Sequence, residues 1–141
     1  MQRDVQSTSV KISLELTPSP TAAGDARALL RAFCTANDFA EDCEVAALVA
    51  TELVANAVRH AGTALTVTVE ADPARLHVAV TDRSPQEPRT RSAQLLDEGG
   101  RGLFLVETLS ERWGVEVGPE GKTVWADIGL RAPVEPAKAD I

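Results

Sequence analysis

The sequence lacks the residue patterns that mark several common classes of protein. Its two cysteines, Cys34 and Cys43, form neither a CxxC nor a CxxH motif, so we expect core thiols and neither a disulfide framework nor a zinc site. No apolar run approaches the ~18 residues that a membrane-spanning helix needs, and the first residues, MQRDVQSTSV, lack the apolar stretch of an export signal. These absences predict a cytoplasmic protein.

Positive charge is also scarce. The chain has 14 Lys and Arg residues against 21 Asp and Glu residues, a net charge of -7, and no cluster of basic residues. This balance argues against a nucleic-acid-binding face and against docking on anionic lipid, so we expect proteins or small molecules as partners. The length of 141 residues and the hydrophobic fraction of 44% suit one domain at 9–131, between a tail at 1–8 and a flexible tail at 132–141.

Alternating apolar residues predict five strands, and apolar residues at helical spacing predict three helices. We expect the strands at 9–16, 65–70, 76–81, 113–117 and 122–130. We expect the helices at 21–37, 41–62 and 101–111. Their order along the chain indicates a two-layer α/β sandwich, in which a mixed, mostly antiparallel sheet of about five strands carries three helices on one face.

The helix ends and the third helix carry more detailed expectations. Thr21 is placed to cap the first helix, and Asn37 near its end tolerates the left-handed conformation, as does Gly62 after the second helix. The apolar residues of the third helix are Leu103, Phe104, Leu105, Val106 and Leu109. Because they cover much of its circumference, this helix is predicted to be largely buried.

The segment 83–98 differs from the rest of the chain. It contains two prolines, charges of both signs and no lasting periodicity. Such a stretch is uncommon inside a compact domain, where it is usually a functional lid or a disordered insertion. We expect a lid.

The second helix carries a ridge of side chains that changes from apolar to polar. Leu48, Glu52, Asn56 and His60 are each four positions apart, so they lie on one face as i, i+4 neighbours. Glu52 and Asn56 border the apolar stripe, where burial without hydrogen bonds would cost on the order of 2 to 7 kcal/mol. A bound metal or ligand would supply partners, but taken alone the helix is explained more simply by a solvated pair.

Other polar residues are ambiguous when each is considered alone. The sequence GGRGL at 99–103 opens a helix whose free N–H groups favour a phosphate, although it matches neither the P-loop nor the dinucleotide fingerprint and a flexible hinge would explain it. Asp82 ends a strand, where it could accept an N–H from a ligand or serve as a turn residue. Lysine at a hairpin end, as at Lys122, is usually solvated, and we assign no role to His77 on a polar strand face.

The combination of these motifs resembles a known superfamily. ELVANA at 52–57, Asp82, GRGL at 100–103 and GKTVWA at 121–126 occur in the order and rough spacing of the GHKL ATPases, the Bergerat fold of gyrase and histidine-kinase catalytic domains. In length and motifs the chain is most similar to the stand-alone anti-sigma-factor serine/threonine kinases. The resemblance extends from about residue 9 to residue 130.

The resemblance implies a role for each matching residue, with ATP and Mg²⁺ as cofactors. Asn56 would ligate Mg²⁺ through its amide oxygen, and Glu52 would be the general base. Asp82 would accept the exocyclic N–H of adenine, and Thr123 would support the adenine end. The residues of the phosphate-binding motif would be Gly100, Arg101, Gly102 and Leu103.

One motif departs from the superfamily pattern, which usually reads Asp-x-Gly-x-Gly. Here Asp82 is followed by Arg83, Ser84 and Pro85, so both glycines are missing and the loop around the adenine is altered. The resemblance implies an ATP-binding regulator that binds a sigma factor, and uses Mg-ATP to phosphorylate Ser or Thr of an antagonist protein. The alternative is a non-catalytic module in which nucleotide sets partner affinity. A homodimer is typical of this branch, and no phosphoacceptor hairpin of a histidine kinase fits the chain.

Overall fold

The protein is a two-layer α/β sandwich, as the alternation of its residues predicts. The computed structural model describes residues 10–38, 43–84 and 100–130, and for residues 100–103 it describes the backbone only. The strands are β1 (Val10–Leu16), β2 (Leu65–Ala71), β3 (Arg75–Asp82), β4 (Arg112–Gly118) and β5 (Gly121–Gly129). The helices are α1 (Ala22–Ala36), α2 (Cys43–His60) and α3 (Gly100–Leu109).

The five strands form one sheet in the order β1-β2-β3-β5-β4. The order of the elements along the chain is the predicted one. Each of the four pairings is antiparallel, so the sheet that the structure describes is wholly antiparallel and not mixed. This follows from the connections, because three of the four pairs join strands that are consecutive in the chain, two of them through tight turns. Asp72 makes the β2–β3 turn, where its Oδ1 accepts the N–H groups of Ala74 and Arg75 at 2.8 and 2.9 Å.

Strand alternation gives the sheet one face that the helices cover and one face that they leave open. In β2, Leu65, Val67 and Val69 are buried, whereas Thr66 and Thr68 between them are half-buried on the open face. Each buried aliphatic side chain of this kind contributes roughly 1.5 to 3 kcal/mol through its removal from water. The single core therefore lies between the covered face and the helices, mainly α1 and α2.

The ends of α1 differ in detail from the prediction. Thr21 is at the N-cap position, but its hydroxyl makes no capping hydrogen bond and pairs with Ser19 Oγ at 3.0 Å instead. At the other end Asn37 has a φ of -116°, and the left-handed residue is Asp38 with a φ of 64°. Asn37 is held out of that conformation while its Nδ2 donates to the carbonyl oxygen of Phe33 at 2.9 Å.

The end of α2 and the two thiols agree with the sequence analysis. Gly62 has a φ of 69°, the left-handed conformation expected after the helix. Cys34 and Cys43 are both buried, so the prediction of core cysteines is confirmed.

The prediction that α3 is largely buried is wrong for the residues whose side chains the structure describes. Val106 is fully buried, but Phe104 is 64% exposed and Leu105 and Leu109 are only half-buried. The reason is position, because α3 packs mainly against α2 at one side of the helical layer and makes few contacts with the sheet. A helix with one neighbour buries one stripe, whatever its composition.

Several expectations fall on residues outside the described ranges. The tails at 1–8 and 132–141 and all of the predicted lid except Arg83 and Ser84 are among them. Within the described part of the chain, no helix combines the length and the apolar character needed to cross a bilayer.

Candidate functional site

The ridge on α2 passes from the surface into the interior. Leu48 is 38% exposed, Glu52 is half-buried and Asn56 is only 3% exposed, while His60 near the helix end is half-buried. The gradient arises because α2 packs on α1 along one side and on β3 and β5 beneath it. Asn56 is therefore not the solvated residue that the helix considered alone would suggest.

The amide oxygen of Asn56 is the most unusual polar atom of this ridge. Oδ1 is buried and accepts no hydrogen bond from the residues that the structure describes. Leaving a buried acceptor unsatisfied costs roughly 1 to 3 kcal/mol. An atom of this kind is expected where a ligand provides the missing partner.

The chemistry of this oxygen fits Mg²⁺. Mg²⁺ is a hard cation that prefers oxygen ligands and keeps several waters, so it is commonly bound by one or two protein oxygens together with substrate phosphates. Among the described residues, no group of three or more His, Cys, Asp or Glu side chains is arranged to hold a metal ion. A single amide oxygen suits a cation that a bound nucleotide would bring with it.

Glu52 lies one helical turn before Asn56, on the same ridge. Its carboxylate is half-buried at the border of the core, so it remains within reach of a ligand that contacts Asn56. The helix thus presents a carboxylate that can accept a proton and an oxygen that can hold a cation, which are the roles that the resemblance to the GHKL ATPases implies. The roles of the two residues stay predictions.

Asp82 ends β3 in a fixed orientation. Its side chain is 1% exposed, its Oδ1 accepts the N–H of Ser84 at 2.8 Å, and its Oδ2 accepts a hydrogen bond from Lys122 Nζ. The next residue is held as well, since the N–H of Arg83 donates to Thr63 Oγ1 at 2.9 Å. Hydrogen bonds to side chains therefore fix the backbone of Arg83 and Ser84, in the segment where the superfamily pattern has glycines.

Lys122 is the residue of this site that the sequence analysis missed. It is directly opposite Asp82 in the β3–β5 register and is 1% exposed, although lysine at a hairpin end is usually solvated. A signal was available, because alternation along β5 places Lys122 on the same face as the buried Val124 and Ala126. A lysine in line with core residues requires a buried anion.

Thr123, which was expected at the adenine end, points to the open face of the sheet. Its hydroxyl shares a hydrogen bond of 2.8 Å with Thr81 Oγ1, the residue opposite it in β3. The side chains of Thr123 and Asp82 are thus on opposite faces of the same pair of strands.

A cavity of about 820 Å³ lies at this end of the sheet. Its lining residues are Thr81, Asp82, Arg83, Thr123 and the β4–β5 turn region 116–121. Asp82 and Thr123 both line the cavity although their side chains are on opposite faces of the strands, and neither Glu52 nor Asn56 lines it. Its volume is within the range of about 300 to 1,000 Å³ that is typical of small-molecule sites.

The glycine-rich motif forms the first turn of α3, which begins at Gly100. The amide groups of Gly100, Arg101 and Gly102 are in the first turn of a helix, where N–H groups lack partners within the helix. Since α3 packs against α2, this helix start belongs to the same layer as the Glu52 and Asn56 ridge. The side chains of Arg101 and Leu103 lie outside the described part of the structure.

A second polar cluster occupies the open face of the sheet. Asp127 Oδ1 is 2.6 Å from His77 Nδ1, Asp127 Oδ2 accepts from Arg112 Nη2 at 2.9 Å, and the His77 ring stacks on Trp125. Burial raises the pKa of Asp127, but the hydrogen bonds from His77 and Arg112 outweigh it and hold that pKa below the ordinary value of 3.8. His77, which was assigned no role, thus stabilises the open face.

An α/β sandwich with an unsatisfied amide oxygen and a carboxylate on its central helix, beside a glycine-led helix start, has the features of a nucleotide-binding domain. Residues 16–128 match the profile of the histidine kinase-like ATPase domain, and the chain belongs to this family of ATP-binding domains. No match to a curated protein sequence is found.

The fold is also similar to that of a solved structure, the crystal structure of the RsbU and RsbW domains of Rv1364c from Mycobacterium tuberculosis. The superposition has a TM-score of 0.61 at 22% sequence identity and covers 89% of this chain. The chain corresponds to 34% of the length of that protein chain. At this level of identity the similarity concerns the fold.

Proposed function

We propose that this domain binds Mg-ATP and transfers its terminal phosphoryl group to a Ser or Thr of an antagonist protein, as part of a regulator that binds a sigma factor. The buried Asn56 Oδ1, which lacks a hydrogen bond among the described residues, carries the proposal. An amide oxygen on the solvated surface would need no partner from the protein or a ligand. A buried amide oxygen does need one, and a hard cation such as Mg²⁺ would supply it.

The proposed residues divide the chemistry between them. Asn56 holds the cation through its amide oxygen, and the amide groups at the start of α3 bind phosphate oxygens. When bound, Mg²⁺ supplies positive charge that offsets the charge of the phosphates. Glu52 accepts the proton of the attacking hydroxyl, and Asp82 accepts the amino N–H of adenine. Thr123 lines the same cavity as Asp82 and supports that end of the nucleotide.

The partner assignment rests on resemblance and fold together. The motifs are most similar to those of anti-sigma-factor kinases, and the fold neighbour contains an RsbW domain in the same chain as an RsbU domain. The acidic net charge of -7 is compatible with a protein partner and argues against nucleic acid. A homodimer is part of the same proposal.

The kinase step is tested by Glu52→Gln. The substitution keeps the size of the side chain and removes its basicity, so Mg-ATP binding should persist while phosphoryl transfer falls by about 10² to 10⁴. Transfer is measured as incorporation of labelled phosphate into proteins that co-purify with the domain. Glu44→Gln is the matched control, because Glu44 is on the same helix but pairs with Arg31 at the surface and should leave transfer unchanged.

The alternative is a binding module in which ATP only sets partner affinity. The environment of Asp82 favours it, because the glycines that usually follow this residue are replaced and the carboxylate already has two partners. In that case the wild type transfers no phosphate to any co-purifying protein, and Glu52→Gln leaves ATP-dependent partner binding intact. That pair of results would replace the kinase proposal with the module.

A further inference from the structure

We propose that the edge strand β1 pairs with β1 of a second copy of this chain across a two-fold axis at Ser13. Two sheets of five strands would then join into one antiparallel sheet. A homodimer is part of the proposed function, and this inference names its surface. The pairing does not depend on nucleotide, because its contacts lie on β1 alone.

β1 has a side that is not used for pairing in the described part of the chain. It stands at one end of the strand order, and the described strand that pairs with it is β2. Successive N–H and C=O groups of a strand point to opposite sides, so half of those of β1 are directed away from β2. A row of such backbone groups is a template for another strand.

The apolar side chains of β1 are incompletely covered. They lie on the helix-covered face, in register with the buried residues of β2, yet Val10 is 37% exposed and Ile12 and Leu14 are only half-buried. Val10 is one of three large hydrophobic residues that are exposed in the described ranges. A strand added beside β1 would cover this row, and the gain would grow with the apolar area removed from water.

The sequence of β1, VKISLEL, is complementary to itself when two copies run antiparallel. With the axis at Ser13, Lys11 is opposite the partner's Glu15, and Glu15 is opposite the partner's Lys11. Opposite charges directly across two strands attract each other. Because a two-fold axis repeats each contact, the interface contains two such ion pairs on the open face.

The covered face is complementary in the same register. Val10 is opposite the partner's Leu16, and Ile12 is opposite the partner's Leu14. The most exposed apolar residue of the strand is thus placed beside the most buried one, since Leu16 is 8% exposed. All seven residues of β1 take part in this pairing.

Charge selects this register among the two-fold alternatives. Moving the axis by one residue places Lys11 or Glu15 opposite Ser13, and both ion pairs are lost. An axis at Lys11 or at Glu15 brings two like charges together, which is unfavourable. An axis between two residues would set apolar side chains against polar ones.

Protection of the edge is the simpler explanation of Lys11, because lysine on an edge strand commonly prevents pairing with another chain. Protection from a second copy requires that the two copies repel each other, as charges of one sign would. β1 instead carries one charge of each sign at equal distances from its centre, and it contains no proline. This edge therefore favours its own copy.

Glu15 can make the new contact although it has a partner within its own chain. Its Oε2 accepts a hydrogen bond from Arg83 at 2.9 Å, but both side chains are more than 60% exposed. Exposed ion pairs of this kind contribute little to stability. Since a carboxylate accepts hydrogen bonds with both oxygens, Oε1 can accept one from the partner's Lys11.

The other edge strand is less suited to the same pairing. A two-fold axis midway between Arg112 and Glu116 of β4 would also bring opposite charges together. However, Arg112 is already bound to the buried Asp127 at 2.9 Å. In that register the apolar Val117 would lie opposite the carboxylate of the partner's Glu111, which is unfavourable for both residues.

Sedimentation equilibrium of the full chain without nucleotide tests the proposal. Lys11→Glu places two acidic side chains opposite each other and Glu15→Lys places two basic ones, so the dissociation constant of the dimer should rise roughly 10-fold or more in each variant. The double variant restores opposite charges and should recover the wild-type constant to within about threefold. An equal mixture of the two single variants should form a heterodimer, because each pair across the axis then has opposite charges.

Glu116→Lys is the matched control, because it makes the same change of charge at an exposed residue of the other edge strand and should leave the constant unchanged. Lys11 and Glu15 are exposed as well, so all variants should fold. The inference is overturned by a wild type that stays monomeric at ~1 mM, by a double variant as weak as the single ones, or by an equal effect of Glu116→Lys. If the dimer forms as expected but does not bind Mg-ATP, the proposed function is wrong and this inference stands.

Discussion

Replacing Asn56 by leucine should make the nucleotide-free protein more stable and abolish its response to Mg-ATP. Leucine has the same number of side-chain heavy atoms and the same branching, but no oxygen that needs a partner. The unsatisfied Oδ1 costs roughly 1 to 3 kcal/mol, so the free energy of unfolding should rise by up to that amount. In a domain of this size the melting temperature would rise by about 2 to 4 °C per kcal/mol.

Asn56→Leu should also decrease the stabilisation that bound Mg-ATP provides. At a nucleotide concentration about 100 times the Kd, a bound ligand stabilises the wild type by about 2.7 kcal/mol, and Asn56→Leu should lose most of this gain. Urea denaturation with and without Mg-ATP measures both quantities. Asn37→Leu is the control, because Asn37 Nδ2 donates a hydrogen bond of 2.9 Å, so its loss should lower stability and leave the response to ligand intact. Lower stability of Asn56→Leu without ligand, or an undiminished response to Mg-ATP, would contradict the assignment.

Two further predictions concern the end of β3 and the open face. Gly121→Ala should lower both stability and ATP affinity, because its Cβ would overlap the backbone of Asp82. Gly118→Ala should lower neither, because a Cβ at that position would have no neighbouring atom nearer than 3.9 Å. Thermal melts and ATP titrations compare the two variants. Asp127 has a folded-state pKa below its ordinary value of 3.8, so its ionised form stabilises the fold above pH 3.8, and this contribution is lost as the pH falls further and the carboxylate is protonated. Acid unfolding followed between pH 5 and pH 2 should therefore be less steep in Asp127→Asn, and an identical pH profile would show that the contacts with His77 and Arg112 do not matter.

The sequence predicted the fold well where one physical rule acts alone. Alternation of apolar and polar residues gave all five strands, because each strand has one covered and one open face. Gly62 ended α2 as expected, since few other residues adopt its φ of 69° at low cost. The family match over residues 16–128 agrees with the GHKL resemblance drawn from four short motifs.

The prediction was weaker where the burial or pairing of a residue depends on its neighbours in the folded structure. Composition made α3 look buried, but Phe104 is exposed because, among the described elements, its helix packs closely only on α2. Lys122 was interpreted as solvated because its partner is 40 residues earlier in the chain, on a strand whose register the sequence does not specify. Asn37 was expected to adopt the left-handed conformation, but Asp38 has it instead, while Asn37 Nδ2 donates a hydrogen bond to the carbonyl oxygen of Phe33.

The strand order has a consequence for how the protein opens. β3 is the central strand, flanked by β2 and β5, whereas β1 and β4 are at the edges. Amide protons in central strands exchange most slowly, because their exposure requires an opening that approaches global unfolding. α3, with few contacts beyond α2, should open far more readily. We therefore expect the end of β3 with Asp82, the proposed base contact, to persist through local fluctuations while the start of α3, the proposed phosphate contact, exchanges. In the proposed site, nucleotide would then be released by the opening of one helix and not by disruption of the sheet.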